Sequence, residues 1–349
     1  MDTHTHLEDL TNEIFFEIFD YLHALDIFTA FASLNKRVLS ILKSISLHVI
    51  ILNSHYDREL QFLSSHLTFH AHQVISLKID DTIRDRSPII SLLFKRHHFI
   101  NLQSCIFMSI NSSTLLDNVI KQVKNINEKY VCDITRTILM HKSSSLRSVM
   151  LHYNYDYLDI STYTSIASNL ISLDLLISGS LNTVSVYSIL PILRVCHRIR
   201  YLRVIINDQI VSENNNLNVS IYDPFINEND LPISTQVTTF DLSTFVICDI
   251  RSITYILRCM PNLIRFKFLH ETRTVALPVI DDLANGYVWQ QILEMHVPFL
   301  SKFDFHISIV KSYSKLDIDM VVNSFQNFVK KYPKWQMIID RWVPTSDMS

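Results

Sequence analysis

From residue 47 onward the chain repeats one short pattern: apolar residues at i, i+3 and i+5, followed by a stretch with helical spacing. The units are Leu47/Ile50/Leu52, Val74/Leu77/Ile79, Leu102/Cys105/Phe107, Leu146/Val149/Leu151, Leu170/Leu173/Leu175, Ile199/Leu202/Val204, Val237/Phe240/Leu242, Leu263/Phe266/Phe268 and Leu300/Phe303/Phe305. The i+2 and i+4 residues test this reading independently, because in a strand they point to the opposite face. From Val74 onward, fourteen of these sixteen positions carry a polar group, as in Ser76/Lys78, Tyr201/Arg203 and Arg265/Lys267. The pattern therefore predicts short strands with one buried and one wet face.

Helix-like segments separate the strands: 87–99, 113–125, 184–198 and 249–260. Alternating strands and helices imply parallel pairing, yet a doubly wound sheet buries both faces and its strands read as continuous apolar runs. A wet face favours a curved α/β solenoid, with parallel strands on the concave side and helices outside. It resembles the leucine-rich repeat, L-x-x-L-x-L, one strand and one helical segment per unit. The resemblance is irregular: unit starts are 24 to 44 residues apart, whereas regular repeats step by roughly 20 to 29. Residues 207–232 read as a loop-like insertion. The amphipathic segment 317–332 and WQMIIDRWV read as a capping helix and a last strand.

Residues 9–46 have a different texture and read as three short helices. Asp9 or Thr11 is placed to cap the first, Asp26 the second and Asn35 the third. The first helix carries more apolar residues than one buried stripe requires: Ile14, Phe15, Phe16, Ile18, Phe19, Tyr21 and Leu22, spread over more than one face. A second surface is needed to cover them.

Composition narrows the chemistry. The 349 residues are 48% hydrophobic and 19% charged, with a net charge of −3, so the chain is globular and has no global attraction to nucleic acid or anionic membrane. No apolar run approaches the roughly 18 residues of a membrane span. The five cysteines are odd in number and lack C-x-x-C spacing, which points to a reduced intracellular compartment, cytoplasmic or nuclear. With glycine only at 179 and 286, phosphate-cradling loops and nucleophile elbows are absent. His66, His70 and His72 have no acidic partner in a metal motif and read as surface histidines. Cys196 beside His197 reads as a buried structural cysteine, since adjacent helical residues diverge. No catalytic set, cofactor or metal is expected.

On the wet face, Asp174, Arg203, Asp241, Arg265, Lys267, Lys302 and Asp304 intersperse opposite charges, which suits recognition of a protein better than of a polyanion. At the N-terminus, residues 7–42 resemble an F-box. The pattern is carried by Leu10, Glu13, Ile14, Ile18, Phe19, Tyr21, Leu22, Leu34, Lys36 and Arg37, with Thr11 where the family usually has proline. The resemblance implies an F-box over 1–46 and a leucine-rich-repeat-like region over 47–349. It further implies a non-catalytic substrate receptor of a Skp–cullin–F-box ubiquitin ligase. Leu10, Ile14, Ile18, Leu22 and Leu34 would then face the Skp-type adaptor, and through it a cullin scaffold, while the repeats hold an unknown protein target. A repeat-based scaffold or immune receptor, with the helices as a mere end cap, is the alternative. A cap would lose its surplus apolar exposure against the first repeat; a docking motif would keep it.

Overall fold

A computed structural model of the chain describes residues 7, 10–52, 54–80, 93–94, 96–108, 145–152, 169–179, 185–208, 227–246, 248–271, 282–310, 318–333 and 335–342. The helical segment predicted at 113–125, positions 87–92 of the one at 87–99, positions 209–226 of the insertion and Cys132 lie outside the described residues. The chain forms two compact units, Met1–Leu151 and His152–Ser349.

The first unit opens with helices α1 (Asn12–Asp20), α2 (Ala24–Phe31) and α3 (Lys36–Leu42). Strand β1 (Leu47–Ile51), helix α4 (Asp57–His70) and strands β2 (Val74–Asp80) and β3 (Ser104–Met108) follow, and then β4 (Ser148–His152), whose last residue, His152, is counted with the second unit. Asn35 caps α3 as expected, its Oδ1 accepting from the Val38 N–H at 2.9 Å. Asp26 does not cap α2, which starts two residues earlier with His23 at the N-cap; Asp26 lies in the first turn, where a carboxylate favours the dipole. Helix α2 is the buried one: Ala24, Leu25, Ile27, Phe28 and Phe31 all lie in the core. Phe28 stacks on the His66 ring of α4 at 4.6 Å.

In this unit the strands lie in chain order, and β1–β2 and β2–β3 pair in parallel. The buried positions match the expected pattern from Val74 onward. The first strand differs: Leu47, Val49 and Ile51 are buried, rather than Leu47, Ile50 and Leu52. A register shift explains it, since Leu47 pairs with Val74 but His48 already pairs with Ser76, so β1 runs one residue short of its neighbour. With a side-chain period of two, one residue exchanges the faces.

The second unit contains β5 (Ser172–Gly179), α5 (Ile189–Val195), β6 (Tyr201–Asp208), β7 (Thr239–Thr244), α6 (Ile250–Arg258) and β8 (Arg265–Glu271). It ends with α7 (Gly286–His296), β9 (Lys302–Val310), α8 (Ile318–Lys331) and β10 (Gln336–Trp342). Every successive pair from β5 to β10 is parallel and in chain order. The result is an α/β fold without the reversal of strand order that marks a doubly wound sheet.

Strand register builds an aromatic ladder in this core. Phe240, Phe266 and Phe303 are in-register partners, with ring centroids 5.5 and 5.4 Å apart; Phe268 and Phe305 form a second rung at 5.9 Å. Fully buried Trp289 of α7 lies against both rows, its Nε1–H donating to the Leu283 carbonyl at 2.8 Å. Helices α5 and α6 match expectation, and Asp249 caps α6 through the Ser252 N–H. Helices α4 and α7 were not anticipated. The apolar stripe of α4, Leu60, Leu63 and Leu67, is diluted by exposed Phe62 and Phe69, and α7 opens on a glycine.

Candidate partner-binding surfaces

The first candidate is the outer side of α1. Its 3.6-residue period puts Phe15 and Phe19 one turn apart on one face, and both are buried against Phe31 of α2, with centroids at 6.3 and 5.1 Å. Ile14, Ile18 and Tyr21 follow at i, i+4 and i+7 along one flank, and Phe16 lies on the other. Ile14 is 40%, Phe16 39% and Tyr21 87% exposed. The polar arc between them holds Glu13, Glu17 and Asp20. The apolar surplus is therefore divided: two phenylalanines supply the internal core, and the flanks face water.

The start of α1 is held by α3. Arg37 Nε and Nη2 donate to Asn12 Oδ1 at 3.0 and 2.8 Å, and Nη2 also reaches the Leu10 carbonyl at 2.6 Å. Its guanidinium sits 5.8 Å from the centre of the Phe15 ring. Thr11 occupies the N-cap position in extended backbone and makes no side-chain cap bond. Glu13's own backbone N–H, then the Thr11 hydroxyl, hold the Glu13 carboxyl below its ordinary pKa. The five adaptor-facing candidates are all outside the buried core: Ile14 is exposed, and Leu10, Ile18, Leu22 and Leu34 are half-buried. Phe16, Tyr21 and Leu39 share the exposure and were not among them. Only the placement of Phe15 and Phe19 sorts this greasy helix into faces.

The second candidate is the wet face of the second unit. Register places Asp174, Arg203, Asp241, Lys267 and Asp304 in one row across five neighbouring strands, with the sign of charge alternating at each step. Opposite charges on neighbouring strands attract, by at most about 1 kcal/mol for an exposed pair. Arg203 Nη1 lies 3.4 Å from Asp174 Oδ2, and Lys302 Nζ lies 3.0 Å from Asp304 Oδ2. His152, the first residue of this unit, meets Asp174 Oδ1 at 2.6 Å. Burial is uneven: the Arg203 side chain is 49% exposed and that of Asp174 12%. Burial raises the Asp241 pKa, opposed by Lys267 and Arg203. The carboxylates thus form the floor and the cations the outer layer. The neighbouring row, Tyr201, Thr239, Arg265 and Lys302, contributes two more cations, and Arg265 is exposed.

The remaining candidates resolve into packing. His70 is buried, and His66 is clamped between Phe28 and Phe62, so neither is the surface histidine expected. Both serve the α2–α4 contact; the His66 imidazole is pushed below its ordinary pKa, first by burial and then by His70. Cys196 is buried and burial pushes its thiol up to about 12, far from the range of a nucleophile. Among the described residues there is no group of three or more His, Cys, Asp or Glu that could hold a metal, and no helix is long and apolar enough to cross a membrane. A scan against protein-family models finds no match, and a search of curated proteins finds no relative.

Proposed function

We propose that the chain is the substrate-recognition subunit of a Skp–cullin–F-box ubiquitin ligase. Helices α1 to α3 form an F-box that docks on the Skp-type adaptor, and the strand–helix units form an irregular leucine-rich-repeat-like solenoid that holds a protein target. Ubiquitin transfer belongs to the other subunits, so this chain recruits and performs no bond chemistry. The observation that carries this reading is the divided apolar content of α1: with Phe15 and Phe19 in the core, Ile14, Phe16 and Tyr21 are still exposed. Isolated exposed apolar residues are ordinary, but three along the two flanks of one short helix and its C-cap, in a segment that resembles an F-box, have the form of a helical interface.

One observation favours the alternative of an end cap. Helix α2 packs on β1 and α4. The two roles fall on different helices, so covering by α2 leaves α1 free to dock. The test is capture of the full chain by a purified Skp-type adaptor, compared with a chain carrying Ile14→Asp and Phe16→Asp. Both residues are outside the core, so the circular dichroism spectrum should be unchanged. Charge in an apolar interface centre should cost at least about 2 kcal/mol per residue, abolishing capture. Failure of the wild-type chain to bind, or equal binding by the variant, refutes the proposal.

A further inference from the structure

Beside the charged row, at the N-terminal ends of β6 to β9, lies an open groove of about 550 Å³ lined by Arg200, Tyr201, Gln236, Asn262, Ile264 and Phe299. Its apolar members are unusually bare: Phe299 is 66%, Tyr201 52% and Ile264 42% exposed. Groove and charge are continuous, because Tyr201 pairs with Thr239, Thr239 with Arg265 and Arg265 with Lys302. At about 4.8 Å per strand, Arg265 stands roughly 10 Å from Tyr201, within the span of a few residues of extended peptide. Among the described residues the guanidinium groups of Arg200 and Arg265 meet no carboxylate. Of the nearby carboxylates, Asp174 meets His152 and Arg203, and Asp304 meets Lys302.

We propose that this groove binds an acidic segment of a protein partner, with an aromatic or aliphatic side chain seated against Tyr201, Ile264 and Phe299 and carboxylates on Arg200 and Arg265. The proposal rests on the reading of the second unit as the target-holding part, and supplies the chemistry of the target. Charge complementarity selects the occupant. Arginines that meet no carboxylate among the described residues, beside bare aromatics, match a peptide that alternates acids with a large apolar anchor. A nucleic-acid strand would meet the same arginines and rings, but its regularly spaced phosphates would run over Asp174, Asp241 and Asp304. A peptide with only a few carboxylates avoids that row.

The experiment selects a displayed library of random twelve-residue peptides on the full chain. Enriched peptides are then measured by fluorescence anisotropy against the wild type, an Arg200→Glu/Arg265→Glu variant and Phe299→Ala. These substitutions are at exposed positions, and the circular dichroism spectrum checks the fold. Expected are sequences with Asp or Glu within a few positions of an aromatic or aliphatic residue, binding at least tenfold weaker to the charge-reversed variant, severalfold weaker to Phe299→Ala, and more weakly as salt rises. No enrichment above a bait-free control overturns the proposal. So do basic or neutral consensus sequences, equal affinity for the variants, or Arg-dependent binding of a single-stranded oligonucleotide in place of peptide. Adaptor capture is measured on α1 variants with this groove intact, so a failure here and a failure of the ligase reading are separate results.

Discussion

Gly286 offers the sharpest test of the packing argument. A Cβ at this position, the first of α7, would lie 2.5 Å from the Ser324 carbonyl oxygen, 2.6 Å from its carbon and 2.8 Å from the Phe325 nitrogen. Ordinary carbon contacts are about 3.5–4.0 Å, so in Gly286→Ala helix α8 must recede by about 1 Å. The obstacle is backbone, which no rotamer change removes. Overpacking of this kind costs about 1–3 kcal/mol. The retreat also stretches the bond from the Gly286 N–H to Ser324 Oγ, now 2.8 Å and buried, for about 1 kcal/mol more. Alanine's better helix propensity returns at most about 1 kcal/mol. The net expectation is a loss of about 2 kcal/mol, or about 1 M in the urea midpoint for a slope near 2 kcal/mol/M. All three tryptophans, at 289, 335 and 342, lie in the second unit, so their fluorescence during urea unfolding reads this unit. Ser324→Ala should be milder and should not rescue Gly286→Ala, because the clash is with main-chain atoms. An unchanged or higher midpoint for Gly286→Ala would show that the helices are not in this contact.

The buried imidazole of His270 is pushed down to about 4, chiefly by desolvation, against a bond to the Thr244 backbone. The unfolded chain, with the ordinary histidine value near 6.5, then binds more protons between those two pH values. Stability is full above about pH 6.5 and falls on acidification, by about 2 kcal/mol from pH 7 to pH 5; His270→Gln should flatten that part of the profile in urea titrations, and an unchanged slope would contradict the assignment. Asn35→Ala removes the α3 cap and should cost about 1 kcal/mol, read as faster amide exchange across Lys36–Leu42; unaltered protection would count against the cap. In the adaptor assay, Thr11→Pro should leave capture intact or strengthen it, since Thr11 makes no side-chain cap bond and its φ of −70° is one that proline adopts; a lost interaction would show that the Thr11–Glu13 contact matters to docking.

The strand positions were legible because a half-buried strand imposes a period of two, and inheritance of that period from unit to unit survives irregular spacing. Leu102, Cys105 and Phe107, for example, fall where the pattern puts them. Strand β1 departs from the pattern because one missing residue, visible only through its pairing with β2, exchanges the faces. The charged residues of the wet face were legible as a set, yet their order was not. Alternation of sign across Asp174, Arg203, Asp241, Lys267 and Asp304 is a property of register between strands more than twenty residues apart.

The groove of Tyr201, Ile264 and Phe299 was not anticipated at all. Its members come from separate strand–helix repeats of the second unit and follow no common period; exposure alone distinguishes them from core residues of the same types. The amino-acid sequence by itself determined where the described strands from Val74 onward lie, which of their faces is dry, and that α1 carries more apolar residues than one face needs. Those properties are local and periodic, so they are written in consecutive residues. Tertiary structure alone decided that Phe15 and Phe19 turn inward while Ile14 and Phe16 do not, that carboxylates lie beneath cations, and that Gly286 stands where α8 leaves no room for a side chain. Each depends on what another segment places within a few ångströms, and no local pattern records that distance.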